Sequence, residues 1–367
     1  MTMTTMQTSF ALASVWWRLR RQLLLLLSIV SFADALWWDM ARDAKQTRAS
    51  TLSCETLALT YNFTADQLGM CNHHTNPRTN AHELMVPVAK GARMGYQMCL
   101  DQMGETRWGC RNNIGDPNAP VYADGITESD GATKEAAFVH AVMTAALSYR
   151  VIKACSDAEN FLLTCACDRK MHELDPPDFT WDSCSDNVAF GNNFASKWAL
   201  SDVSKGTSLA SQVTRHNVVA GTKALEDVSK DSLCCRCHGV CGACNLKTCW
   251  TCVPLNDIGP RLKERYNNAL RVKKENKTMV PRHERRNLDD SLLVYMDKSL
   301  DYCSSTGGRR CNATMKSGEG SCADLCCGRG YYQTSDVKVT QECRFIWCCR
   351  LECVDKKVTV HFHECNY

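Results

Sequence analysis

Residues 234–252 read CCRCHGVCGACNLKTCWTC, which places seven cysteines within nineteen positions. Their spacings include C-x-C, C-x2-C and C-x4-C with His238 among them, whereas structural zinc sites pair C-x2-C units that lie a dozen or more residues apart. The whole chain carries 25 cysteines in 367 residues. Reduced intracellular proteins do not hold so many without repeated metal-binding spacing. The composition therefore predicts disulfides, an oxidising compartment and no metal.

The N-terminus has the three parts of a secretory signal peptide. Arg18, Arg20 and Arg21 form a basic region, residues 23–32 are an apolar run, and 33–35 read ADA, a small-residue cleavage motif. The run is shorter than the roughly 20 residues that a membrane-spanning helix needs. We therefore expect residues 1–35 to be a signal peptide and the mature chain to be secreted. Its removal lowers the formal net charge from +3 to +1, which gives no argument for a nucleic acid partner.

Cysteine density divides the mature chain and predicts an α+β fold with two domains. We expect a helical N-terminal domain over 36–253, a helical stretch and exposed linker over 254–291, and a small cysteine-rich β domain over 292–367. The clearest helix pattern runs from Thr133, a predicted N-cap, to Ala154, and a second runs from 88 to 103, where Gly104 follows. In the middle region the helix pattern covers 258–272. Strand character appears at 338–340 and 357–362.

Seven segments, taken in order, resemble the successive conserved blocks of the Wnt family and cover nearly the whole mature chain. They are GATKEAAFVHAVMTAALSYRVIKACS (131–156), WDSCSDNVAFG (181–191), CRCHGVCGACNLKTCW (235–250), DYC (301–303), GRRCNAT (308–314), CADLCCGRGY (322–331) and CRFIWCCRLEC (343–353). The resemblance implies a secreted developmental signalling ligand rather than an enzyme.

The resemblance also implies eleven disulfides, which use 22 of the cysteines. Those in the N-terminal domain are Cys54–Cys71, Cys99–Cys110, Cys155–Cys165, Cys167–Cys184, Cys235–Cys249 and Cys237–Cys244. Those in the C-terminal domain are Cys303–Cys327, Cys311–Cys322, Cys326–Cys365, Cys343–Cys353 and the vicinal pair Cys348–Cys349. Wnt proteins usually have one more bridge along the last hairpin, but this chain has Gln341 and Lys356 at those positions. Because both partners are missing together, we expect a looser hairpin base.

Cys234, Cys241 and Cys252 depart from the family pattern. In Wnt proteins the hairpin reads CHG-x-SGSC, and its first serine carries a fatty acyl ester that enters the groove of the Frizzled cysteine-rich domain. This chain reads CHGVCGAC over 237–244, so Cys241 replaces that serine. Three alternatives remain open: an acyl thioester on Cys241, a chain without lipid, and a disulfide from Cys241 to Cys234 or Cys252. A bridge between Cys234 and Cys252 is also conceivable.

The resemblance implies two contacts with Frizzled. One is the first hairpin tip, with Val240, Cys241 and Gly242. The other is the tip of the C-terminal finger, with Phe345, Trp347, Cys348 and Cys349. It further implies an LRP-type co-receptor that contacts the linker and adjoining C-terminal region. A Wnt acyltransferase and a Wntless-type lipid carrier are the implied partners in the secretory pathway.

Asn62, Asn276 and Asn312 each begin an N-x-T sequon and are predicted glycosylation sites. His238 and Cys241 form the one pair that suggests a nucleophile, and neighbouring cysteines in an oxidising medium would capture such a thiol. We therefore predict no catalytic residues and no cofactor other than a covalent acyl group. The rival functions are a non-acylated or antagonist Wnt and a static disulfide-rich matrix or inhibitor protein.

Overall fold

The computed structural model describes residues 36–43, 45–77, 82–110, 121–122, 126, 132–156, 165–168, 181–182, 184–203, 207–230, 232–283, 288–346 and 350–367. The predicted signal peptide lies outside these residues. None of the helices in this described part of the chain combines the length and the apolar composition of a membrane span.

The described chain contains nine α-helices and nine β-strands. The helices are α1 (Thr47–Thr51), α2 (Cys54–Tyr61), α3 (Ala65–His73), α4 (Met85–Met103), α5 (Lys134–Ser156), α6 (Val188–Ser201), α7 (Leu209–Ser229), α8 (Leu255–Asn267) and α9 (Cys322–Leu325). The strands are β1 (Trp181–Asp182), β2 (Leu233–Cys237), β3 (Lys247–Thr251), β4 (Leu270–Glu275), β5 (Thr278–Pro281), β6 (Val294–Tyr295), β7 (Arg310–Cys311), β8 (Tyr331–Ile346) and β9 (Arg350–Cys365). Short 3-10 turns lie at Trp37–Arg42, Val240–Gly242 and Cys303–Ser305.

Helix α5 is the centre of the N-terminal core and contacts α4, α6, α7 and α8. Its apolar residues are buried almost all round, as expected of a helix surrounded by others. Thr133 caps it as predicted, because its Oγ1 accepts a hydrogen bond from the Ala136 amide at 3.2 Å. Glycines allow α4 and α7 to approach α5 closely. A Cβ on Gly91 of α4 would lie 2.7 Å from the Leu147 Cα, and one on Gly221 of α7 would lie 2.3 Å from the Ala141 carbonyl oxygen.

Helix α4 ends at Met103 as predicted but begins at Met85, before the expected start at 88. Pro87 does not prevent this, because a proline in the first turn of a helix interrupts no intrahelical hydrogen bond.

Residues 254–291 differ from the predicted helix and exposed linker. The helix ends at Asn267 rather than continuing to 272, and its buried residues Ile258 and Leu262 belong to the N-terminal core. The chain then forms a β4–β5 hairpin, and β4 also pairs in parallel with β6. Leu270 and Val272 alternate on the buried face of β4 while its lysines face solvent. Period-two alternation over so few residues is easily mistaken for the end of a helix.

The C-terminal part is a small disulfide core that carries a long hairpin. Its buried apolar cluster consists of Cys322, Leu325, Cys326 and Cys365. Strands β8 and β9 pair without interruption from Tyr331↔Cys365 to Ile346↔Arg350, and β7 adds a short third strand beside β9. The predicted strand segments at 338–340 and 357–362 therefore lie within much longer strands.

Candidate functional site

Strands β2 and β3 form the first hairpin, which corresponds to the cysteine-rich segment over residues 234–252. The strands pair with Cys235 opposite Cys249. Disulfides join Cys235 to Cys249, Cys237 to Cys244, and Cys234 to Cys252. The bridge between Cys234 and Cys252 fits a separation of 5.7 Å between the two Cα atoms, which is in the ordinary range for a disulfide.

The base of this hairpin is fixed to the helical core through one buried carboxylate. Asp186 accepts hydrogen bonds from Lys153 of α5 at 2.6 Å and from the amide of Val253, just after β3, at 2.8 Å. The Asp186 amide in turn donates to the Thr251 carbonyl at 3.0 Å. Strand β1 pairs with β3 on the same side. The hairpin is therefore held in a defined direction with respect to α5.

The tip of the first hairpin is a tight turn over 239–243. The Gly239 amide donates to the Ala243 carbonyl at 2.8 Å, and the Gly242 amide donates to the Gly239 carbonyl at 2.9 Å. Cys241 and Gly242 both have positive φ angles, 57° and 80°. Gly239 has no room for a side chain, since a Cβ there would lie 2.4 Å from the Ala243 carbonyl oxygen. This turn leaves Val240 85% exposed.

Cys241 is the one cysteine outside a disulfide in the part of the chain that the structure describes, and it is exposed. The expected alternative of a bridge to Cys234 or Cys252 is wrong, because those two cysteines are joined to each other. This finding does not distinguish between a thioester on Cys241 and a chain without lipid. The His238 Nε2 lies 2.8 Å from the Thr248 Oγ1, so its ring belongs to the hairpin's own hydrogen bonding.

The finger formed by β8 and β9 is the second exposed hairpin. Cys326–Cys365 and Cys303–Cys327 fix its base, where Arg329 also donates to the Cys303 carbonyl at 2.6 Å. Near its far end Cys343 is joined to Cys353. Two positions further on, Phe345, 68% exposed, lies opposite Leu351, 61% exposed. Trp347, Cys348 and Cys349, which the resemblance places at the tip, lie outside the described residues.

The structure joins ten of the eleven cysteine pairs that the resemblance implies and adds Cys234–Cys252. The ten are Cys54–Cys71, Cys99–Cys110, Cys155–Cys165, Cys167–Cys184, Cys235–Cys249, Cys237–Cys244, Cys303–Cys327, Cys311–Cys322, Cys326–Cys365 and Cys343–Cys353. The remaining pair, Cys348–Cys349, is not among the described residues.

Within the described ranges, two groups of cysteine and histidine side chains come close enough to suggest a metal site. They are Cys54, Cys71 and His82, and Cys311, Cys322 and Cys326. All five sulfur atoms belong to disulfides and therefore offer no thiolate. Their proximity results from the packing of the bridges.

The three predicted glycosylation sites are exposed, and Asn62 and Asn276 lie on turns. Asn62 ends α2 with a φ of 51°, and Asn276 occupies the turn between β4 and β5 with a φ of 47°. The Asn312 Oδ1 accepts a hydrogen bond from the Thr314 hydroxyl at 2.7 Å. All three side chains are accessible, and glycosylation remains a prediction.

These features define a class of protein: a disulfide-held α+β chain that presents two exposed hairpins from a helical body. The family model of the Wnt family matches residues 61–366. Human Protein Wnt-2b is 34% identical over 300 residues, which cover 77% of this chain and 74% of that protein. Mouse Protein Wnt-16 is 35% identical over 309 residues, with coverage of 77% and 82%. The chain belongs to the Wnt family.

A solved structure supports the fold assignment. A chain of the structure of human WLS in complex with WNT8A matches with a TM-score of 0.54 and 26% identity, covering 82% of this chain and 99% of that one. The predicted family and the predicted α+β fold, with a helical N-terminal part and a cysteine-rich β C-terminal part, are therefore confirmed.

Proposed function

We propose that this Wnt family ligand is secreted and binds the cysteine-rich domain of a Frizzled receptor through the tips of its two hairpins. The observation that carries the proposal is the exposure of apolar side chains at both ends, Val240 at 85% and Phe345 at 68%. Disulfides hold both hairpins, so little conformational entropy is lost when they bind. Exposed apolar residues on a rigid support are typical interface anchors. The chain acts as a ligand and not as an enzyme.

Cys241 is the proposed attachment point for a fatty acyl group, held as a thioester. Its thiol is exposed at the tip, outside any disulfide, and next to Val240. Each buried acyl methylene contributes about 0.8 kcal/mol, so a long chain in an apolar receptor groove supplies much of the affinity. A Wnt acyltransferase and a Wntless-type carrier are then partners during secretion. The latter has support from the similar WNT8A structure, which was solved in complex with WLS.

An LRP-type co-receptor is the proposed second cell-surface partner. The exposed β4–β5 turn and the adjoining C-terminal part supply its contact region, in line with the resemblance. The extensive disulfide bonding suits an extracellular site of action, since such bridges persist in oxidising compartments.

A cell assay separates this function from its two rivals. Purified chain is added to cells that carry a Wnt-responsive reporter, with and without an excess of soluble Frizzled cysteine-rich domain. The proposal predicts a response that the soluble domain abolishes. A static matrix protein would give no response and would not bind the domain. An antagonist would bind the domain and reduce the response to another Wnt.

A further inference from the structure

The outer edge of β8 has no neighbour among the described strands. In the sheet order β7-β9-β8 it is the last strand, and its residues are exposed along its length except for half-buried Thr334. The backbone N–H of Asn366 donates to the Gly330 carbonyl at 3.1 Å, so residues 330 and 366 form a hydrogen-bonded pair. Hydrogen-bonded and non-hydrogen-bonded pairs alternate along β8 and β9 from that point. Even-numbered residues of β8 therefore bond to β9, and odd-numbered residues direct their N–H and C=O groups outward. Such an edge is a template for another strand.

Four charged residues on β8 form a self-complementary pattern. Asp336, Lys338, Glu342 and Arg344 are all even-numbered and share one face of the hairpin. A two-fold axis through Thr340 pairs two antiparallel copies of β8. It sets Asp336 opposite the second copy's Arg344, and Lys338 opposite the second copy's Glu342. These are non-hydrogen-bonded positions of the new ladder, where facing side chains come closest.

The pattern selects this register against its neighbours. Moving the axis to residue 339 sets Asp336 opposite Glu342, and moving it to 341 sets Lys338 opposite Arg344. Like charges directly opposite each other are destabilising. Both neighbouring registers are therefore opposed by the repulsion of like charges.

Contacts within one copy leave the basic residues of this row available. Arg310 pairs with Asp336 at 3.5 Å and Lys356 pairs with Glu342 at 2.9 Å. Among the described residues, Lys338 and Arg344 have no acidic partner. A second copy supplies an acidic partner for each of these two residues. The new pairs and the two existing pairs then form rows of alternating charge across the sheet.

We infer that two copies of this chain associate by antiparallel pairing of their β8 edges about Thr340, which forms a continuous sheet in the order β9-β8-β8-β9. Pairing from 335 to 345 makes about twelve backbone hydrogen bonds, two for each outward-facing pair. A contact of one strand on one strand is small compared with obligate dimer interfaces. The association is therefore concentration-dependent.

Charge reversal tests the pairing by sedimentation velocity of the purified full chain, in detergent above its critical micelle concentration. One variant, Lys338→Glu with Arg344→Glu, makes the row wholly acidic, and another, Asp336→Lys with Glu342→Lys, makes it wholly basic. Each variant alone is expected to dimerise about 30-fold more weakly or worse than the unmodified chain. An equimolar mixture of the two is expected to dimerise again, as is a chain that carries all four changes. Arg350→Glu with Lys357→Glu reverses charges on β9 and is expected to have no effect.

Three results would overturn the inference. The first is an unmodified chain that stays monomeric throughout the micromolar concentration range. The second is dimerisation that survives both reversals, and the third is a mixture that does not recover. A non-reducing gel identifies dimers linked through Cys241, which would be insensitive to charge reversal. Thr340→Cys is expected to give a disulfide-linked dimer, because Thr340 faces its own copy across the axis, whereas Thr359→Cys on β9 is expected to stay monomeric.

Discussion

Cys241 occupies a left-handed backbone conformation, with a φ of 57°, that residues other than glycine seldom adopt. With Gly242 in the same region, the turn closes in three residues and leaves the side chain of Cys241 exposed. Nothing in the order of the cysteines reveals such a turn, because any short loop between Cys237 and Cys244 satisfies the bridge.

Neutral hydroxylamine tests the state of Cys241, because it cleaves thioesters and leaves oxygen esters largely intact. Treatment is expected to lower the mass of the peptide that contains residues 238–243 by the mass of the acyl group. It is also expected to make Cys241 alkylatable and to abolish partitioning of the protein into detergent. In the Cys241→Ser variant, an acyl ester is expected to survive the same treatment. Alkylation of Cys241 before any treatment would show a lipid-free chain and contradict the proposed attachment.

His140 lies on α5 with its ring 5.4 Å from that of Trp38, and burial lowers its pKa to about 4. Between an ordinary pKa near 6.5 and that value, the unfolded chain binds a proton that the folded chain does not. Folding stability from this group is therefore fully present above pH 6.5 and is lost as pH falls toward 4, by at most about 3 kcal/mol.

Thermal unfolding midpoints at pH 7 and pH 4.5 measure this effect. We expect the midpoint to fall at acid pH, and His140→Gln to reduce that fall. Burial also lowers the pKa of His74 and His216, so part of the pH dependence remains in the variant. An identical fall in both chains would show that His140 does not contribute.

At the scale of the element, the finger has a regular register at positions 341 and 356, where the family resemblance implies an extra bridge. Gln341 lies opposite Asp355, and Lys356 lies opposite Thr340. Side chains of 341 and 356 therefore point to opposite faces. Polar contacts join the strands here instead: Gln341 donates to Asp355 at 3.2 Å, and Lys356 donates to Glu342 at 2.9 Å.

A second bridge is expected from Gln341→Cys with Asp355→Cys. These positions face each other in the same kind of pair as Cys343 and Cys353, whose Cα atoms are 4.0 Å apart. The double variant should raise the thermal unfolding midpoint and show the bridge in a peptide map. Gln341→Cys with Lys356→Cys is the matched control and should leave free thiols, since that bridge requires a bulge. The opposite result would show that the register slips.

Local signals predicted some elements of this fold and missed others. Thr133 and the apolar spacing after it identify α5, because a cap and a helical period act within a few residues. Leu270 and Val272 did not identify β4, since two alternating positions carry little information and the strand depends on partners at 278–281 and 294. The exact pairing of Gln341 also depends on the whole length of β8 and β9. The family resemblance predicted the position of the first hairpin tip. It did not predict the backbone conformation of that tip.

At the scale of the whole molecule, Arg309 joins the C-terminal part to the helical body. Its guanidinium donates to the carbonyls of Gly104 at 2.6 Å, Thr106 at 2.8 Å and Arg107 at 2.7 Å. Burial lowers the pKa of this group from its usual value. The Gly320 amide adds a hydrogen bond to the Glu105 carbonyl at 2.9 Å.

Arg309→Ala is expected to destabilise the protein by about 2–4 kcal/mol, because it leaves several carbonyl groups at this junction without their charged donor. The adjacent Arg310 is 61% exposed, so Arg310→Ala is the matched control and should cost under about 1 kcal/mol. Denaturant unfolding of the oxidised chain measures both. Equal losses would mean that Arg309 does not hold the two parts together.

The affinity of the secreted chain for an immobilised Frizzled cysteine-rich domain tests the central claim most directly. Val240→Asp and Phe345→Asp place a charge at the two hairpin ends, and each is expected to weaken binding about 30-fold or more, as the loss of an apolar anchor does. Leu59 on α2 is 82% exposed, so Leu59→Asp carries the same change away from both hairpins and should bind within about twofold of the unmodified chain. No binding by the unmodified chain, or equal affinities in all four proteins, would contradict the claim that the hairpin ends contact Frizzled.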